Sequence, residues 1–68
     1  MPALISLALD DVAERASLAA CYAEAAAALA AAGDVPGMTH SLACAARVIL
    51  AATEAAATLR PSRMESPR

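Results

Sequence analysis

From Met38 onward, apolar residues fall at Met38, Leu42, Ala45, Ile49, Ala52, Ala56 and Leu59, stepping alternately by four and three. That is the a/d seam of an α-helix. His40, Arg47 and Glu54 are spaced by sevens and fall on the opposite, solvated face, while Val48 and Leu50 flank the seam. The upstream half is helical by composition but less sharply patterned. At about 100° per residue, Val12, Ala16, Ala20, Ala23, Ala27 and Ala30 cluster on one side, joined by Leu9. Leu18, Tyr22 and Leu29 form a second stripe, with Asp10, Glu14, Ser17 and Cys21 between the two. The alternation of a half-buried strand is absent throughout.

The two periodic stretches meet at AGDVPGM, residues 32–38. Gly33 can take the left-handed conformation that ends a helix. Asp34 can accept hydrogen bonds from the free N–H groups of the next helix, and Pro36 is tolerated in its first turn because it has no N–H to satisfy. Helix 1 is therefore expected to start near residue 3, or alternatively near residue 10, and to end at 32. A turn follows at 33–35, and helix 2 at about 35–60, stopped by Pro61. Residues 61–68, PSRMESPR, are polar and Pro-rich and are expected to be disordered.

A short connection forces two helices antiparallel. The expected fold is all-α: an αα-hairpin over residues 1–60, pairing with a second hairpin into a four-helix bundle. Small residues let helices approach closely, so the Ala face of helix 1 is expected to press on the seam of helix 2. The stripe Leu18, Tyr22 and Leu29 is then left over as an interface with another chain. Leu4 and Leu7 join it from ALISLAL, an arm projecting beyond the end of helix 2.

Composition sharpens the need for a partner. The chain has 68 residues and is 60% hydrophobic, but more than half of that class is Ala, and Tyr22 is the only aromatic. Burying an Ala methyl yields only about 0.8 kcal/mol, and short chains with thin cores rely on disulfides, metals or association. The expected partner is a second copy, in a dimer or higher homo-oligomer, or a helical partner protein.

The net charge is −2, Lys is absent and three of the five Arg lie in the last nine residues. This leaves no basic patch for nucleic acid. ALISLAL has no positive residue before it and is followed by Asp10 and Asp11, unlike a secretory signal. Residues 41–59 are the most apolar stretch but contain Arg47 and Glu54, which disfavour a membrane span. A cytoplasmic protein with reduced thiols is expected.

Candidate chemistry is sparse. His40 is the single histidine, and the carboxylates Asp10, Asp11 and Glu14 fit the start of a helix better than an acid/base pair. Cys21 and Cys44 lie about four residues out of register in a hairpin, which argues against a disulfide. With His40 they are the candidate metal ligands, through oligomerisation that multiplies the thiols. No cofactor is expected, and an enzyme ranks last.

The hinge AAAGDVPGMTHSLA, with Cys21 before it and an Ala-rich helix after it, resembles one hairpin of the cysteine-rich four-helix-bundle family that stores copper(I). The resemblance implies a bundle scaffold with an acidic cap, Asp34, and an apolar residue four positions on, Met38. Ser41, Val48 and Ala52 stand where that family has thiols. Soft thiolates are what select copper(I), so the resemblance implies the scaffold rather than the storage.

The function expected is that of a small non-enzymatic interaction or scaffold protein that self-associates or docks on a partner. The alternatives are a thiol or copper-type metal site at an oligomer interface, and a helical co-chaperone that shields a partner subunit.

Overall fold

The computed structural model describes residues 2–59. Two helices, α1 (Pro2–Ala31) and α2 (Val35–Ala57), pack against each other as an antiparallel all-α hairpin. α1 begins at Pro2, not near Asp10, so the ALISLAL segment is continuous helix. Pro is suited to a first helical turn because its fixed φ is already helical and its missing N–H is not needed there.

The turn is closed by local chemistry. Gly33 has φ 79°, a conformation that costs a side-chain-bearing residue steric strain. Around it the Asp34 N–H donates to the Leu29 carbonyl at 2.9 Å, and the Gly33 N–H donates to the Ala30 carbonyl at 3.0 Å. These two bonds form the Schellman arrangement and satisfy carbonyls that the end of α1 would otherwise leave free. Asp34 then caps α2, its Oδ1 accepting from the Gly37 N–H at 3.0 Å. Pro36 occupies the first turn. A Cβ at Gly37 would stand 2.5 Å from Asp34 Oδ2, so a side chain there would push against the capping carboxylate.

α2 ends at Ala57, short of the expected Arg60. The Thr58 and Leu59 N–H groups donate to the Ala55 and Ala56 carbonyls at 3.3 and 3.0 Å, tightening the last turn. Arg60 and the expected disordered tail, 61–68, lie outside the described residues.

The core differs from the expected one in rotation. On α2 the buried residues are Ser41, Ala45 and Ala52, with Met38, Cys44, Val48, Ala51 and Ala55 half-buried, as is Leu59 just past its end. The seam is thus Met38, Ser41, Ala45, Val48, Ala52, Ala55 and Leu59, and the expected members Leu42, Ile49 and Ala56 are exposed. On α1, Ala19 and Ala26 are buried, and Ala8, Val12, Tyr22 and Leu29 are half-buried. The Ala stripe expected to face α2 is exposed at Ala16, Ala20, Ala23, Ala27 and Ala30. Both helices are turned so that the smallest side chains meet. Met38, Val48 and Leu59 stay half-buried in the same seam, while Leu42, Ile49 and Leu50 are left outside it.

α2 is long and apolar enough, by length and composition, to cross a membrane, with a mean hydropathy of 1.3 over its most apolar stretch. Most of that stretch is not buried by α1. The same helix carries Arg47 and Glu54.

Candidate functional site

One side of the hairpin carries an open groove of about 440 Å³, lined by Arg15, Leu18 and Tyr22 of α1 and by Cys44, Arg47, Val48 and Ala51 of α2. Its floor is apolar and its two guanidinium groups come from opposite helices. Arg15 Nε donates to Asp11 Oδ1 at 3.0 Å, one turn back on α1. Both side chains of this pair are more than two-fifths exposed, so the pair contributes at most about 1 kcal/mol.

At the α2 edge of the groove three polar groups one turn apart on the same helix come together. Cys44 Sγ lies 3.6 Å from His40 Nε2, and Arg47 Nη2 donates to Cys44 Sγ at 3.9 Å. The signal was present in the spacing: residues three and four apart are neighbours on a helix surface, and His40, Cys44 and Arg47 are so spaced. His40 and Arg47 are exposed and Cys44 is half-buried.

Cys21 is not brought to this group. It is exposed, and both cysteines are free. Of the candidate metal ligands, only Cys44 and His40 come together. Among the described residues no group of three or more His, Cys, Asp or Glu side chains is placed to hold a metal ion.

The expected interface residues divide into two sets. Tyr22 and Leu29 are half-buried on the side of α1 that meets α2, and Tyr22 shares the groove with Cys44 and Val48. They are therefore not a stripe remote from α2, because rotation of α1 turns them partly inward. Leu4, Leu7 and Leu18 remain exposed, at 65%, 65% and 48%.

Exposed apolar residues are not confined to the groove. Among the described residues the buried apolar side chains are all Ala, whereas Leu4, Ile5, Leu7, Leu9, Leu18, Val35, Leu42, Ile49 and Leu50 are exposed. The fold and this surface define an antiparallel helical hairpin that is alanine inside and leucine outside. No family model matches the chain, and no curated protein or solved structure matches it.

Proposed function

We propose that the chain is a small non-enzymatic interaction protein that self-associates or docks on a helical partner. One observation carries this reading: among the described residues the hairpin buries only alanines of its apolar side chains and leaves nine large apolar ones exposed. A Leu or Ile removed from water contributes roughly 1.5 to 3 kcal/mol, about twice or more what an Ala methyl does. Most of the hydrophobic free energy this sequence can supply is therefore unused inside one hairpin. An interface with another helical surface is where it becomes available, and large exposed apolar surfaces ordinarily mark such sites. A four-helix bundle made from two hairpins is the simplest arrangement of this kind.

Arg47 and Glu54 support docking on protein over insertion into a bilayer, since each costs about 2.5 to 3.5 kcal/mol near a membrane centre. The test is mass in solution by sedimentation over a hundredfold concentration range, with and without vesicles. Self-association appears as a mass that rises with concentration. A monomeric mass throughout, with no vesicle binding, leaves docking on a different protein. Recovery of the chain with the vesicles contradicts the reading.

A second reading rests on the Cys44–His40 pair. A thiol and an imidazole 3.6 Å apart are one soft and one borderline donor, and a dimer would supply four ligands. Zinc or copper(I) titration of the assembled protein tests it, with loss of binding on Cys44→Ser as the supporting result.

A further inference from the structure

The hairpin has two broad faces, and they differ in charge. The groove face carries Asp11, Arg15 and Arg47. Taking the buried seam as reference and turning about 100° per residue, the other face receives Leu9, Ala16, Ala20, Ala23 and Ala27 from α1. From α2 it receives Leu42, Ile49 and Ala56, all of them exposed. Between Ile5 and Ala30 of α1, and between Met38 and Ala56 of α2, that face holds no ionisable side chain. Asp10, Glu14, Glu24 and Glu54 point to the outer edges or the back, and His40 lies on the groove side beside Cys44.

We propose that this uncharged face is the seat of a second copy of the same chain, related by a two-fold axis parallel to the helices. The proposal rests on the self-association reading above and specifies its surface and partner. Three features single out a second copy. The first is shape. The face is small on one half, where α1 presents Ala, and large on the other, where α2 presents Leu42 and Ile49. A two-fold contact is self-complementary, and it lays the large half of each copy on the small half of the other.

The second feature is register. Leu18 and Tyr22 of α1 line the groove with Val48 and Ala51 of α2, and counting out from the turn in an antiparallel hairpin puts Tyr22 about level with Val48 and Leu18 about level with Ala51. Under a two-fold parallel to the helices the same levels meet between copies. Ile49 of one copy then falls opposite Ala20 and Ala23 of the other, and Leu42 opposite Ala27.

The third feature is area. α2 has 23 residues and at 1.5 Å each is about 35 Å long, while two packed helices are about 20 Å across. The face is thus about 700 Å², close to the roughly 800 Å² that each partner contributes to a stable interface. No charge has to be desolvated to form it, whereas the groove face would bury Asp11, Arg15 and Arg47.

The experiment is sedimentation of the full chain and of Ile49→Asp, Leu42→Ala and Leu18→Asp, with circular dichroism on the same samples. The expected result is a dimer for the wild type and for Leu18→Asp. Leu42→Ala should dissociate about tenfold more readily, in line with loss of an interface anchor, and Ile49→Asp should be monomeric. Dissociation of Leu18→Asp with a retained dimer in Ile49→Asp would overturn the proposed face while leaving self-association standing. A monomeric wild type would overturn self-association itself. Because a dissociated hairpin can also unfold, a second measurement uses intact dimers. Single thiols are placed by Ile49→Cys or Leu18→Cys in a Cys21→Ser, Cys44→Ser chain. A bismaleimide with a reach of about 10 Å should join two chains through the first and not the second; the reverse pattern contradicts the proposal.

Discussion

Ser41 and Leu42 are sequence neighbours with opposite fates: Ser41 is 8% exposed against α1, and Leu42 keeps 49% of its surface open. A helix that buries a serine and exposes the adjacent leucine has been rotated by its neighbour, not by its own hydrophobicity. The same rotation buries Ala19 and Ala26 on α1, each 3% exposed.

Those two alanines should accept no added bulk. Ala26→Leu forces a larger side chain between two helices that meet over Ala and Ser, and overpacking of this kind costs about 1 to 3 kcal/mol. Ala28→Leu, on the outward side of α1, is the control and should leave the chemical denaturation midpoint unchanged. Equal midpoints for the two variants would mean that the helices do not meet at Ala26.

Ser41→Ala should be neutral to slightly stabilising, since it removes a hydroxyl from a buried position, while Ser41→Leu should destabilise by about 1 to 3 kcal/mol. Urea melts read both. A stabilising Ser41→Leu would place Ser41 outside the seam and restore the Leu42 and Ile49 register.

The turn should be sensitive at Gly33 and Asp34. Gly33→Ala meets open space but must hold φ near 79°, and left-handed backbone costs a non-glycine residue roughly 1 to 2 kcal/mol. Asp34→Ala removes the acceptor from the Gly37 N–H and should cost about 1 kcal/mol. Asp34→Asn, which can still accept, should recover most of that. If Asp34→Ala melts like the wild type, the cap does not contribute to stability.

Thermal unfolding followed by circular dichroism should show a midpoint that climbs with protein concentration. Association stabilises a folded chain by mass action, and the hairpin alone has little apolar burial to draw on. A midpoint that stays fixed over a hundredfold dilution contradicts an obligate partner.

The thiols should be dispensable for folding. Cys21 is exposed and Cys44 is half-buried with no disulfide between them, so the Cys21→Ser, Cys44→Ser chain should keep its helicity and its mass. Stoichiometric metal binding by the wild type, lost in that variant, would promote the Cys44–His40 pair from a groove feature to a ligand site.

The sequence by itself determined the elements and the turn. Asp34, Pro36 and Gly33 act through bonds to residues three to five positions away, so their meaning is local and can be read without a fold. Helical character followed from Ala and Leu in the same local way, and the short turn then required an antiparallel hairpin. What the sequence could not fix was rotation of each helix about its own axis. α1 is apolar on most of its circumference, so stripes through Ala16 and Ala23, through Ala19 and Ala26, or through Leu18 and Leu29 offer similar burial. On α2 the Leu42–Ile49 stripe is the more hydrophobic one, and a single helix gives no reason to prefer Ser41 and Val48. Tertiary packing made the choice: the buried positions are Ala19, Ala26, Ser41, Ala45 and Ala52, and small side chains are what let two helix backbones approach closely. Leu42 and Ile49 in the seam would hold them apart. The consequence is that Leu42 and Ile49 stay exposed, on the face proposed above to meet a second copy.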